Sequence, residues 1–167
     1  ARIDIDLGIA FQIEGDLEEA VVAYQRARAV RARLGESDQS WEPANDLADA
    51  DCSLGFVLAD QGNLADALAA YQRARAIRVR MMETGGGREL DNERALALID
   101  HNLGLVLSFQ GDFEGAVSAY QRSRDVYSQF TGEAEMLAKV EAALADASES
   151  LENERRRDPS SDFRYLQ

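Results

Sequence analysis

Leu54-Gly55, Gly62-Asn63-Leu64, Ala67 and Tyr71-Gln72-Arg73-Ala74-Arg75 make up the stretch that decides the fold, because it occurs three times. The upstream copy reads Leu7-Gly8, Gly15-Asp16-Leu17, Ala20 and Tyr24-Gln25-Arg26-Ala27-Arg28. The downstream copy reads Leu103-Gly104, Gly111-Asp112-Phe113, Ala116 and Tyr120-Gln121-Arg122-Ser123-Arg124. Spacing inside each copy is the same, and the copies start 47 and 49 residues apart. A pattern that recurs in register at such a period builds an array of like units, each burying its apolar face on its neighbours.

Each unit reads as two helices. In the first, Ile5, Ile9 and Ile13 keep a helical rhythm, as do Leu54, Val57 and Leu58, and Leu103, Val106 and Leu107. Gly15, Gly62 or Gly111 stops it, where the chain must turn left-handed. Asp16, Asn63 or Asp112 then caps the second helix by accepting a backbone N–H. Asp16 with Glu19 suits a capping box, which Gly115 denies to the third copy. The second helix places Ala20, Tyr24, Ala27 and Val30 on one face. Gly8, Gly55 and Gly104 stand inside helices, where glycine is worse than alanine by ~1 kcal/mol. Three repetitions of that penalty predict a close approach that a side chain would block, with Ala20, Ala67 and Ala116 small for the same reason and Tyr24, Tyr71 and Tyr120 filling the space beside them.

Between the copies, Ser40-Trp41-Glu42-Pro43 reads as a helix start, with proline tolerated in the first turn. Trp41 suits a loop residue pinned over the core or a partner contact. Gly85-Gly86-Gly87 is a loop; without a preceding strand or a following Lys-Ser/Thr it is not a phosphate cradle. From Glu133 the repeat stops. Met136, Val140, Leu144, Ala147 and Leu151 keep one apolar stripe on an otherwise polar helix, as a solenoid's terminal cap needs. The expected organisation is an all-α solenoid over 1–157, with repeats at about 1–35, 42–83 and 90–130 and a capping helix at about 133–157. A tail over 158–167, with Phe163, Tyr165 and Leu166, is expected to dock on its own groove or that of another copy.

The pattern resembles the tetratricopeptide repeat, in the Leu-Gly pair, the glycine before the turn, and the alanine, tyrosine and alanine of the second helix. The resemblance covers all three copies. The family's usual period is ~34 residues, and the excess here lies after the second helix and in longer helices. In that respect the chain looks like the long-helix branch that includes kinesin light chain. The tryptophan often found near the start of the family's first helix is absent; Asp4, Asp51 and Asp100 occupy its place. The resemblance implies a right-handed superhelix whose first helices line a concave groove. The second and third first helices have about twelve residues before their Leu-Gly pair and the first has only a few, so the natural chain is expected to extend upstream.

Groove positions implied by that resemblance are Arg2, Ile5, Ile9, Gln12 and Ile13 in the first copy. In the second they are Asp49, Cys52, Phe56, Ala59 and Asp60, and in the third Leu98, His101, Leu105, Ser108 and Phe109. Family members that grip a peptide carboxylate use lysine and asparagine there, and neither occurs at these positions. An apolar floor of Ile9, Phe56, Leu105 and Phe109 remains, with Asp49 and Asp60 at its side, unless neighbouring helices bury part of it. The arginines form a second pattern: Arg26, Arg28, Arg31 and Arg33 recur as Arg73, Arg75, Arg78 and Arg80. Arginine–acid pairing between adjacent helices is the plain reading, and a basic ridge facing an acidic partner or another copy is the sharper one.

The chain has 167 residues, 46% hydrophobic and 29% charged, with a net charge of −13. It is long enough to bury roughly 70% of its unfolded surface and too apolar to be disordered. Seventeen of its 18 basic residues are arginine, a bias that suits a GC-rich bacterial source. The negative balance argues against a nucleic-acid partner. One cysteine and one histidine allow no disulfide and no His/Cys metal centre, and no apolar run is long enough to span a membrane. His101 and Asp100 are consecutive on a helix, about 100° apart, so they do not face each other. No catalytic residue, cofactor or metal is expected. The expected function is that of a cytoplasmic, non-enzymatic scaffold binding a peptide or helical segment of apolar and basic character. The alternative is an assembly element that self-associates or restrains another domain of a larger protein.

Overall fold

The computed structural model describes residues 2–37, 41–85 and 89–157. Seven helices account for nearly all of them, and no strand occurs among the described residues. They are α1 (Arg2–Glu14), α2 (Leu17–Ser37), α3 (Trp41–Asp60), α4 (Leu64–Glu83), α5 (Glu89–Gln110), α6 (Phe113–Tyr127) and α7 (Ala134–Arg157). Each packs on the next in chain order, and in addition α3 touches α5 and α5 touches α7. The result is an all-α solenoid of tetratricopeptide-like helix pairs, α1–α2, α3–α4 and α5–α6, followed by α7. The tail 158–167, its expected docking and most of the glycine loop lie outside the described residues.

The turn inside each pair is built identically. Gly62 adopts φ +76°, and Gly15 and Gly111 do the same. Asn63 N–H donates to Leu58 O (2.8 Å) and Gly62 N–H to Ala59 O (2.9 Å), the two bonds that close a helix end around a left-handed residue. The next side chain then caps the following helix: Glu19 N–H donates to Asp16 Oδ1 (3.3 Å), Asp66 N–H to Asn63 Oδ1 (3.5 Å) and Gly115 N–H to Asp112 Oδ1 (2.9 Å).

The core forms where the pairs stack. Tyr24, Leu54, Val57, Tyr71, Ile99, Leu103 and Val106 make one continuous cluster. Tyr120, Tyr127, Val140 and Ala147 make a second that seats α7. The close approach expected at the helical glycines is present: a Cβ on Gly8, Gly55 or Gly104 would fall 2.6, 2.9 or 2.5 Å from Cε1 of Tyr24, Tyr71 or Tyr120. Ser123 stands where the other copies carry alanine, and its hydroxyl donates to Ala97 O (2.7 Å), which satisfies a group that is fully buried.

Two expectations need correction. Ala20, Tyr24 and Ala27 face the core as expected, but Val30 is exposed. In α1 the stripe of Ile5, Ile9 and Ile13 is not the core stripe, because Ile9 and Ile13 are exposed. The residues aligned with buried Leu54, Val57 and Leu58 are Leu7, Ala10 and Phe11. A helix apolar on both sides offers two stripes of the same period, and periodicity alone does not choose between them.

Candidate functional site

The first helices present one face in register. Position by position, Arg2 aligns with Asp49 and Leu98, Ile5 with Cys52 and His101, and Ile9 with Phe56 and Leu105. Likewise Gln12 aligns with Ala59 and Ser108, and Ile13 with Asp60 and Phe109. These positions fall within about 100° of the helix circumference, since each residue advances the helix by about 100°. Direct contact between α3 and α5 brings the faces of the second and third pairs side by side.

The central row is apolar in every copy and open in every copy: Ile9 is 45%, Phe56 45% and Leu105 37% exposed. Leu98 and Phe109 are exposed as well, and Phe109 and Ile13 project furthest. The expected floor is therefore not buried under its neighbours. Ile5, Cys52 and Ala59 lie deeper, against the core. Burial pushes the Cys52 thiol up to about 11, with Asp49 and Asp51 adding to the effect, so it stays protonated at neutral pH. The side chain of Arg2 lies outside the described ones, as does that of Trp41.

Several polar positions are already engaged within the fold. Gln12 Oε1 accepts from the Tyr24 hydroxyl at 3.2 Å. Ser108 bonds the Tyr120 hydroxyl, whose pKa burial nonetheless raises. His101 lies tilted against the Tyr120 ring, centroids 5.7 Å apart. Burial, with a smaller push from Lys139, holds its imidazole below the usual histidine range. Asp49 is the main departure from the expected picture: its carboxylate is bound by Arg78. Arg78 is buried and also donates to Asn45 Oδ1 (2.6 Å) and Asn92 Oδ1 (3.0 Å). Asp60 remains as an exposed acid at the edge of this face.

The arginine pattern resolves into interhelical clamps. Asp51 in α3 is 1% exposed, and its Oδ1 accepts from Arg28 Nε of α2 (3.0 Å) and Arg73 Nε of α4 (2.9 Å). Asp100 in α5 is 3% exposed, and its Oδ1 accepts from Arg75 Nε of α4 (2.8 Å) and from Arg122 of α6 (Nε 3.0 Å, Nη2 2.9 Å). These are not the surface pairs of ~0–1 kcal/mol that arginine–acid patterns usually make. Each ties a buried carboxylate to two helices, and leaving such a carboxylate unpaired is strongly unfavourable. In the sequence these aspartates stand out only as occupants of the tryptophan position and, for Asp100, as the neighbour of His101. Their recurrence opposite recurrent arginine pairs was the available clue.

Among the described residues no group of His, Cys, Asp and Glu is placed to hold a metal, and no helix is long and apolar enough to cross a membrane. Among solved structures, the chain is similar to the crystal structure of MamA protein, at 16% identity over 99% of this chain and 96% of that one. The TM-score is 0.32, a likeness too slight to bear on function. No curated protein is significantly similar in sequence. Tetratricopeptide repeat profiles match residues 52–84 and 97–122, which are the second and third helix pairs from within α3 and α5 onward. The second and third helix pairs are thus tetratricopeptide repeats, and the first pair carries the same Leu-Gly pair, turn glycine and hairpin tyrosine.

Proposed function

We infer that this chain is a protein-interaction scaffold that binds a segment of a partner across its first helices, with 1–157 as the solenoid and 158–167 as its tail. Tetratricopeptide repeats generally mediate protein–protein interaction and scaffolding. The supporting observation is the row Ile9, Phe56 and Leu105, apolar and open in all three pairs. Exposed apolar residues that recur in register on like helices are typical of partner sites. With Leu98, Ile13 and Phe109 beside them, they suit the apolar face of an amphipathic helix or an extended apolar segment. Asp60 favours a basic residue at its edge; Asp49, bound to Arg78, adds little.

Capture from an extract of the source cells tests the reading. Wild type is compared with Phe56→Ala/Leu105→Ala, and a photo-reactive residue at position 56 identifies the segment bound. Loss of a specific partner with an unchanged circular dichroism spectrum is expected. Undiminished capture by the folded double variant would remove this face from the account.

A further inference from the structure

The side of the solenoid away from Ile9, Phe56 and Leu105 carries a different kind of recess. A cleft of about 280 Å³ lies between α4, α5 and α6, lined by Leu68, Gln72, Arg75, Leu103, Leu107 and Arg122. Leu103 and Leu107 are each two residues from Leu105, hence about 200° around α5 from it. The cleft thus shares no wall with the face assigned above.

Its charge is unusual for this protein. Arg75 and Arg122 bring two positive charges against the single negative charge of Asp100, so the cleft carries an excess of one positive charge in a chain of net −13. Each guanidinium has five N–H donors. Asp100 takes one from Arg75 and two from Arg122. Both side chains are partly open to solvent. Donors from two rigidly held arginines above a leucine floor match a carboxylate that stands next to an apolar side chain.

The same assembly recurs one pair upstream. Arg28 and Arg73 share Asp51 Oδ1, and Val21, Gln25, Leu54 and Leu58 align with Leu68, Gln72, Leu103 and Leu107. Two like clusters therefore succeed one another along the second helices.

We propose that these two clusters form a second docking surface, which takes an acidic–apolar segment of a partner protein, one carboxylate per cluster. The partner is another protein, not a second copy, because two chains of net −13 repel each other. A phosphate backbone suits the site less well, since its charges come without the apolar side chains that the leucines would cover.

The test uses the full chain and a panel of labelled dodecapeptides that pair Glu with Leu or Phe at spacings of one to four residues, with Lys-for-Glu controls. Fluorescence anisotropy at low salt should show binding by acidic members of the panel and none by the controls. Gln25→Glu/Gln72→Glu places a carboxylate in each cluster without touching the clamps, and should weaken binding at least tenfold. Phe56→Ala/Leu105→Ala should leave it unchanged, which separates this surface from the one proposed above. Arg28→Gln/Arg75→Gln, if folded, should act as the glutamate variant does. No binding across the panel, or binding indifferent to Gln25→Glu/Gln72→Glu, overturns the proposal. Equal binding of a single-stranded oligonucleotide, lost in the same variant, overturns it in favour of a general polyanion site. Self-association lost in that variant overturns it in favour of a second copy.

Discussion

Gly104→Ala is a change whose sign depends on two opposing effects of similar size. Inside a helix, alanine is better than glycine by about 1 kcal/mol. Against that, the new methyl would lie 2.5 Å from Cε1, 2.7 Å from Cδ1 and 2.8 Å from Cζ of Tyr120. Carbon atoms rest at about 3.5–4.0 Å, so three contacts are compressed by about an ångström. Tyr120 is fully buried, and its ring cannot move aside without disturbing the seat of α7. Overpacking of this kind amounts to about 1–3 kcal/mol. The net expectation is destabilisation of about 1 kcal/mol, or roughly 2–4 °C in melting temperature for a chain of this length. At Gly55 the nearest ring atoms of Tyr71 are 2.9, 3.0 and 3.1 Å away. A few tenths of an ångström relieve much of that, so Gly55→Ala should be close to neutral. Urea unfolding followed by far-ultraviolet circular dichroism gives both midpoints. The cycle is closed by Tyr120→Leu: with the ring gone, Gly104→Ala should become stabilising, a coupling of adjacent residues that additivity does not give. A Gly104→Ala protein more stable than wild type, or a Gly55→Ala protein less stable than Gly104→Ala, would refute the close-approach account of these glycines.

Asp100→Ala should destabilise by about 1–3 kcal/mol, because it removes charge-assisted bonds to α4 and α6 together; Glu152→Ala, which breaks only an exposed pair with Arg156, should leave the urea midpoint unmoved. Asp112→Ala should lower stability by about 1 kcal/mol through loss of the cap on α6, and Asp112→Asn should restore most of it. The depressed pKa of His101 makes stability fall with acidity: the unfolded chain binds the proton near pH 6.5 and the fold resists it. Stability should be complete above that value and decline as pH drops from it toward the lower folded pKa. His101→Phe should flatten that part of the profile, and a slope unchanged in the variant would assign it to other groups.

Much of this architecture was legible because the repeat supplies three readings of each position. The turn glycines, the capping residues and the tyrosine beside a missing Cβ follow from backbone and steric rules that act within a few residues, so the sequence exposes them directly. The open row of Ile9, Phe56 and Leu105 was legible only through the resemblance to tetratricopeptide repeats, since in α1 alone the stripe of Ile5, Ile9 and Ile13 is indistinguishable from a core stripe. Asp49 shows the limit. Its binding by Arg78, with Asn45 and Asn92 around the same guanidinium, joins residues from α3, α4 and α5, and no local pattern announces a contact set by how three helices stack. The same holds for the cleft between α4 and α6, which exists only once Leu103 and Leu107 are seen as its floor.

The paired arginines of α4 point in opposite directions along the array: Arg73 reaches back to Asp51 of its own hairpin and Arg75 reaches forward to Asp100 of the next. The second hairpin thus carries both halves of one standard coupling, a carboxylate on its first helix and a forward-reaching guanidinium on its second. Such a joint is interchangeable. A hairpin duplicated in tandem would bring a matching socket and a matching plug, and could be inserted without redesign of either flank. At the last pair the plug has nowhere to go: Arg124, the equivalent of Arg75, turns to Asp125 beside it (2.6 Å), and the next helix is the unrelated α7. Growth of the array by duplication is chemically open in its interior, whereas at the third pair the coupling gives way to the apolar packing of α7.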